Sequence, residues 1–111
     1  MTIEFNSDEF KKKVLDGAIQ GLRKGADIVV KDSKERCPVK TGALRASIKV
    51  YANDYTSLRI GSHIDYAFLQ HEANPNGKAF FLRNALYDDI DIVSDIVCEE
   101  IENRLKRWYL W

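Results

Sequence analysis

The chain has 111 residues, of which 45% are hydrophobic and 31% charged, and its formal net charge is zero. This length and composition predict one soluble globular domain, residues 1–111, with a core that needs no disulfide or metal. No apolar run approaches the ~18 residues of a membrane span, and the first residues lack the basic-then-apolar order of a secretion signal.

The charges are unevenly placed along the chain. Residues 1–50 contain 11 Lys and Arg against 7 Asp and Glu, and residues 51–111 contain 6 against 10. The resulting net charges of +4 and −4 have two explanations. The charges either lie on solvated helix faces, or they make the subunit dipolar, so that its basic side meets the acidic side of the next copy. Head-to-tail contacts of that kind build rings when the rotation closes.

A long first helix is predicted to begin after Asn6 and to end near Arg36. Asn6 can cap the helix while Glu9 reaches back, as in a capping box. Small and apolar residues then recur at steps of three and four, and Pro38 disfavours helical geometry at the residue before it. The rod would be roughly 45 Å long at 1.5 Å per residue. We therefore expect part of it to project or to pack on another chain.

Three glycines lie four residues apart in this helix: Gly17, Gly21 and Gly25. Each should cost about 1 kcal/mol relative to alanine in a helix interior. A strip without side chains lets another backbone approach closely. The partner could be this chain's own last helix or a neighbouring subunit, and the third explanation is weakness tolerated in a helix that bends.

The middle of the chain predicts a small antiparallel sheet of three or four strands. Residues 48–52 alternate between apolar and polar side chains, and residues 58–61 form the return strand after a turn. Residues 66–70 predict a third short strand or a strand-to-loop segment. The Asn-Pro-Asn-Gly sequence at 74–77 is typical of a turn.

A second long helix is predicted from about Ala79 to Trp108. Its apolar stripe should pack across the sheet, which completes an α+β fold. Three aromatic residues end the chain, Trp108, Tyr109 and Trp111. They either close the core of the domain or anchor a neighbouring subunit, since Trp and Tyr are enriched at interface hot spots.

Candidate chemistry is sparse. Cys37 and Cys98 fit no metal motif and are predicted to be free thiols. A metal site or a small enzyme would need His63 and His71 to converge with a carboxylate, and His71-Glu72 lacks the second histidine of a helical zinc motif. We therefore expect no catalytic residue, no metal and no cofactor.

The alternative function is that of a small regulatory DNA-binding protein, which would use the basic flank of the first helix. The sequence pI is only about 6.7 and no reading motif is present. DNA is therefore expected only to pass through a channel, where it would make electrostatic contacts that do not depend on its sequence.

The most informative segment is Pro-Val-Lys-Thr-Gly-Ala-Leu-Arg-Ala-Ser-Ile at residues 38–48. It resembles a signature of the head–tail joining proteins, also called neck or tail-completion proteins, of long-tailed double-stranded DNA phages. Two further segments follow in the order of that family, at 60–67 and at 79–86. Asn84 departs from the proline usual in that family, and the 74–77 loop is shorter than its glycine-rich excursion.

The residues of this segment also have a physical reading. Thr41 can cap a short turn, and Gly42 permits the tight backbone there. Leu44 should enter the core and Ile48 should open the strand. Arg45 has no core role, so it pairs with an acidic residue either of its own chain or of a neighbour.

The resemblance implies a non-enzymatic virion protein, a minor structural component of a phage or prophage, at the head–tail connector. It implies a homo-oligomeric ring that contacts head-completion and tail proteins, is located in the virion, and is assembled in the host cytoplasm without any membrane. The interface elements would be the motif turn, the 73–78 loop and the aromatic C terminus. The candidate interface residues are Thr41, Gly42, Arg45, Glu72, Asn74, Asn76, Lys78, Trp108, Tyr109 and Trp111.

Overall fold

The computed structural model describes residues 6–39, 42–52, 57–74 and 79–109. It is an elongated α+β fold with extents of 67 × 23 × 18 Å. Two long antiparallel helices form the rod, and a two-stranded sheet and two short helices lie between them in sequence. The elements in chain order are α1 (Ser7–Arg36), α2 (Ala43–Ser47), β1 (Lys49–Ala52), β2 (Leu58–Gly61), α3 (Ala67–Ala73) and α4 (Phe81–Tyr109).

The first helix, α1, begins and ends where the sequence predicts. The Asn6 side-chain oxygen accepts hydrogen bonds from the backbone N–H groups of Asp8 and Glu9, at 3.0 and 3.2 Å. At the other end Cys37 is extended (φ −66°, ψ 140°), and its N–H donates to the Ser33 carbonyl oxygen at 2.9 Å. The cap and the following proline are local signals, so both helix ends can be predicted without tertiary contacts.

The three glycines of α1 face α4 at close range. A Cβ added at Gly17 would lie 2.8 Å from the Cα of Ile101, and one added at Gly21 would lie 2.5 Å from the Cα of Val97. At Gly25 the nearest atom, at 2.7 Å, belongs to a valine side chain of α4. Of the partners that the sequence leaves open for this strip, the structure therefore places the chain's own last helix against it.

The core lies at the end of the rod where the predicted motif meets both long helices. One buried cluster joins the end of α1, α2 and the start of α4, and a second joins the middle of α1 to α4. Ile60 of β2 packs against both clusters. The buried residues are Cys37, Leu44, Ile48 and Phe81 in the first cluster, and Val29, Ala85 and Val93 in the second.

The sheet has fewer strands than predicted. Within the described ranges β1 and β2 form one antiparallel pair, in which Val50 lies opposite Ile60 and Tyr51 lies opposite Arg59. The first strand begins at Lys49, one residue later than expected, because the residues before it form α2. The prediction of three or four strands is therefore wrong for the part of the chain that is described.

The segment predicted as a third strand is the helix α3. The N–H of Ala67 donates to the Ile64 carbonyl oxygen at 3.0 Å, and the N–H of Gln70 donates to the Tyr66 carbonyl oxygen at 3.1 Å. The segment AFLQHEA contains good helix formers and no β-branched residue. The short apolar run by itself fits a strand as well as a helix, and the helix propensities of these residues favour the helix.

The last helix begins two residues later than predicted. Phe80 has a φ of +57°, in the left-handed region, and so cannot continue into a right-handed helix. The helix starts at the next residue, Phe81, and ends at Tyr109. Cys37 is buried and Cys98 is exposed on α4, and no disulfide joins the two.

Candidate interface surfaces

The motif segment has a glycine in the left-handed region of backbone conformation, and one turn of helix follows it. Gly42 has a φ of +85°, and its carbonyl oxygen accepts the N–H of Ala46 at 3.0 Å. Leu44 is only 4% exposed, as predicted, and it anchors the turn in the core. Arg45 points away from that core and forms no ion pair with a residue of the described ranges. Thr41 lies outside the described residues.

A serine of the motif fastens α2 to the chain that follows β2. The Ser47 hydroxyl donates to the Leu44 carbonyl oxygen at 2.7 Å and is also hydrogen-bonded to the hydroxyl of Ser62. The Ser62 oxygen in turn accepts the N–H of Ile64 at 3.2 Å. These bonds hold the motif turn against the sheet, so the position of Arg45 is set by the fold.

His71 closes the junction between α3 and α4. Its Nε2 accepts the N–H of Arg83 at 3.3 Å, in the first turn of α4, where backbone N–H groups lack helical partners. Its Nδ1 lies 3.1 Å from Glu72 Oε1, so this nitrogen carries the proton. The ring also packs edge-on against Phe81, with centroids 5.1 Å apart. His71 is therefore a cap for α4, a role that the sequence did not reveal.

The histidines do not form the site that an enzyme would require. No hydrogen bond or ion pair joins His63 to His71 or to a carboxylate among the described residues. Over the same residues, no group of three or more His, Cys, Asp and Glu side chains could hold a metal ion.

The predicted loop residues are only partly described. Glu72 accepts from His71, and the Asn74 amide donates to Gln70 Oε1 at 2.7 Å, so both have partners in their own chain. Asn76 and Lys78 lie outside the described residues.

The C-terminal aromatic residues stay a prediction. Trp108 and Tyr109 belong to the last turn of α4 by their backbone. Their side chains and Trp111 lie outside what the structure describes.

An exposed apolar surface on α3 was missed by sequence reasoning. Phe68 is 76% exposed and Leu69 is 62% exposed, while Ala67 and His71 turn inward. Phe68 also borders a cavity of about 220 Å³ between α3, the end of the sheet and the start of α4. The signal is a pair of adjacent large apolar residues in a short helix, which is visible only once the segment is assigned as helical.

The side of the hairpin that faces away from the core is basic. Tyr51 lies opposite Arg59 and two residues after Lys49, so these three side chains share one face of the sheet. The Lys49 ammonium lies 4.9 Å from the centroid of the Tyr51 ring. Lys49 and Arg59 are exposed, and neither has an ion-pair partner among the described residues. We call Lys49, Tyr51 and Arg59 the basic sheet face.

The solvent side of α4 is acidic. Four carboxylates follow each other at steps of four, four and three residues, which places them on one side of the helix. All four are exposed, and none forms an ion pair with a described residue. We call these residues the acidic stripe: Asp91, Asp95, Glu99 and Glu102.

A carboxylate cluster lies where α1 meets the start of α4. Arg36 contacts Asp32 at 3.0 Å and Asp88 at 2.6 Å. The hydrogen bond from Arg36 holds the pKa of Asp32 below its ordinary value. Burial and the neighbouring Asp32 carboxylate raise the pKa of Asp89, and one carboxylate oxygen of Asp89 is buried with no hydrogen-bond partner among the described residues. The charged form of Asp89 is therefore disfavoured in the fold.

The basic flank of α1 is broken by acidic residues. Lys24 forms an ion pair with Glu100 of α4, and Arg36 is engaged by aspartates. Asp27 lies three residues after Lys24 and four before Lys31, a spacing that makes them neighbours on the helix surface. These contacts and Asp27 interrupt the run of basic residues in the second half of α1.

Comparison with protein families identifies the chain. A family model described as "Bacteriophage HK97-gp10, putative tail-component" matches residues 2–70, from the first helix through most of the segment before α4. The chain belongs to this family. The resemblance read from residues 38–48 is thereby confirmed, because that segment lies inside the matched region. No curated protein matches the chain, and no solved structure does.

Membership in this phage tail-component family shows a structural role in the virion. The helices of the described residues include none that is both long and apolar enough to cross a membrane.

Proposed function

We propose that the chain is a head–tail joining protein that completes the neck or the tail end of a phage or prophage particle by forming or joining a homo-oligomeric ring. The family match supports a tail component, and the exposed apolar surface of α3 supports contact with other subunits. Monomeric proteins rarely expose large apolar side chains together unless they bind a partner there. Phe68 and Leu69 are the observation that carries this proposal.

The shape of the molecule is consistent with a ring subunit. The glycine strip lets α1 and α4 of one chain pack closely along the rod. The motif turn, the sheet and α3 carry exposed surfaces, and so does the outward side of α4, where Tyr87 is 65% exposed and Ile92 is 50% exposed. A subunit with different contact surfaces assembles head to tail, and such contacts form a ring when the rotation closes. DNA would pass through this ring without being read.

The experiment that tests the proposal is electron microscopy of a lysate from a prophage that lacks this gene. DNA-filled heads and separate tails, rescued by supplying the protein, are expected if the chain joins the two in the host cytoplasm. Normally joined, infectious particles would overturn the proposal.

The rescue also tests which surface is used. Phe68→Ser should fail to rescue joining, because it removes the most exposed apolar side chain of α3 without touching the core. Leu15→Ser is the control, since Leu15 is an exposed apolar residue on α1, outside both proposed contact surfaces, and it should rescue normally. Full rescue by Phe68→Ser would exclude α3 as the contact surface.

A further inference from the structure

We propose that the basic sheet face of one copy docks on the acidic stripe of a second copy of this chain. The inference rests on the proposed function, because it supplies the contact between neighbouring subunits of the ring. It differs from the apolar α3 surface in its residues and in its chemistry.

The two cations of the basic sheet face are exposed and suited to carboxylates. Lys49 and Arg59 lie on one face of a two-stranded sheet, on either side of the Tyr51 ring. An added Cβ at Gly61, which lies opposite Lys49, would meet nothing within 4 Å. The Tyr51 hydroxyl is buried with no hydrogen-bond partner among the described residues, so the open part of this face is its two cations. On the opposite face of the hairpin Ile60 packs against the core, and Leu58 and Ile60 line a cavity together with residues of α1 and α4. The two cations are therefore presented outward and are not neutralised within the described chain.

The acidic stripe is a surface that lacks its counter-charge. Asp91, Asp95 and Glu99 are spaced by four residues, and like charges at that spacing destabilise a helix. The ion pairs of α4 with α1 lie elsewhere, at Asp88 and Glu100. A cationic partner along the stripe would relieve this repulsion.

A second copy fits these surfaces better than other partners do. The chain has zero net charge and carries both surfaces, so each copy can give one and receive the other. The stripe is about 17 Å long at 1.5 Å per residue, and a four-residue strand is about 13 Å long, so the hairpin matches the stripe in length. A DNA backbone would be attracted to the sheet face but repelled by the stripe. Two different surfaces on one chain also make the contact head to tail, as ring closure requires.

The test uses charge reversal followed by mixing. Lys49→Glu with Arg59→Glu makes the sheet face acidic, and Asp95→Lys with Glu99→Lys makes the stripe basic. Each double variant alone should associate about tenfold more weakly than the wild type in sedimentation velocity at low ionic strength. An equimolar mixture of the two should recover wild-type association, because every sheet face then finds a stripe of opposite charge.

A matched control separates the contact from net charge. Lys12→Glu with Lys31→Glu changes the net charge as much as the sheet-face variant does, but on exposed positions of α1, and it should associate like the wild type. Equal weakening by this control, or a mixture that fails to recover, would overturn the proposal. So would a sheet-face variant that loses binding to a DNA duplex while its self-association is unchanged.

A cross-linking measurement keeps the test decisive if association is weak in solution. In a Cys98→Ser background, Arg59→Cys protein is mixed with Asp95→Cys protein and treated with a short bismaleimide. The yield of cross-linked heterodimer should be well above that of a control mixture in which Lys31→Cys protein replaces the Arg59→Cys protein. Equal yields in the two mixtures would refute the contact. The gene-deletion experiment tests the joining role separately. If the contact proposed here is wrong, the result of that experiment is unchanged.

Discussion

Replacing Gly21 by alanine tests the closest approach of the two long helices. In an isolated helix this substitution stabilises by about 1 kcal/mol, because glycine is a poor helix former. Here the new Cβ would lie 2.5 Å from the Cα of Val97, and it would also meet the Val97 backbone nitrogen at 3.1 Å. A backbone cannot rotate away as a side chain can, so α1 and α4 must separate locally.

The expected cost follows from that geometry. Overpacking a well-packed contact costs about 1–3 kcal/mol, and the loss should reach the upper part of this range because the clash is with backbone atoms. For a domain of this size it corresponds to a fall in Tm on the order of 5–15 °C. Gly25→Ala should cost less, since the atoms nearest to its Cβ belong to the Val93 side chain, which can shift more easily than backbone.

The assay is thermal and urea unfolding followed by far-UV circular dichroism. Gly61→Ala is the control, because a Cβ at Gly61 meets nothing within 4 Å and this position should tolerate alanine. A Gly21→Ala variant that is about 1 kcal/mol more stable than the wild type would show that helix propensity alone governs this position. That result would refute the close packing of α1 on α4.

Two further predictions concern polar groups at the start of α4. His71→Ala should destabilise by about 1 kcal/mol in urea unfolding, as expected for the loss of a helix cap, whereas His63→Ala should leave stability unchanged, and an equal loss in both would contradict the cap. Asp89 has a pKa raised above the ordinary 3.8, so its contribution to stability is fully present below pH 3.8 and is lost as pH rises through the raised pKa. Asp89→Asn should therefore raise the Tm at neutral pH, with a gain that disappears as pH falls below 3.8. Asp65→Asn, at an exposed position outside the helices, is the control and should show no such gain. A pH-independent effect of Asp89→Asn would disprove the burial of an unfavourable charge.

Predictions based on neighbouring residues agree with the structure. Asn6 caps α1 and the proline at 38 ends it, because capping and proline geometry involve only a few consecutive residues. Leu44 is buried where the motif predicted it to be. The phage family could also be recognised from the motif, since its residues follow each other in sequence.

The α3 segment shows where a local pattern is insufficient. A short apolar run is compatible with either a strand or a helix, and periodicity alone does not separate the two. Here the helix formers at 67–73 prevail, and the turn before them directs Phe68 and Leu69 outward. The apolar surface on which the proposed function rests is a consequence of that helix.

The sequence by itself determined the two long helices, the α+β class, the anchoring leucine and the phage family, because each depends on residues adjacent along the chain. Only the tertiary structure decided which helix the glycines face, because Gly21 and Val97 are far apart in sequence. It also decided that His71 caps α4 across twelve residues. The basic sheet face exists only in the register that places Tyr51 opposite Arg59. Contacts between distant segments are set by the packing of the whole chain, which no local pattern encodes.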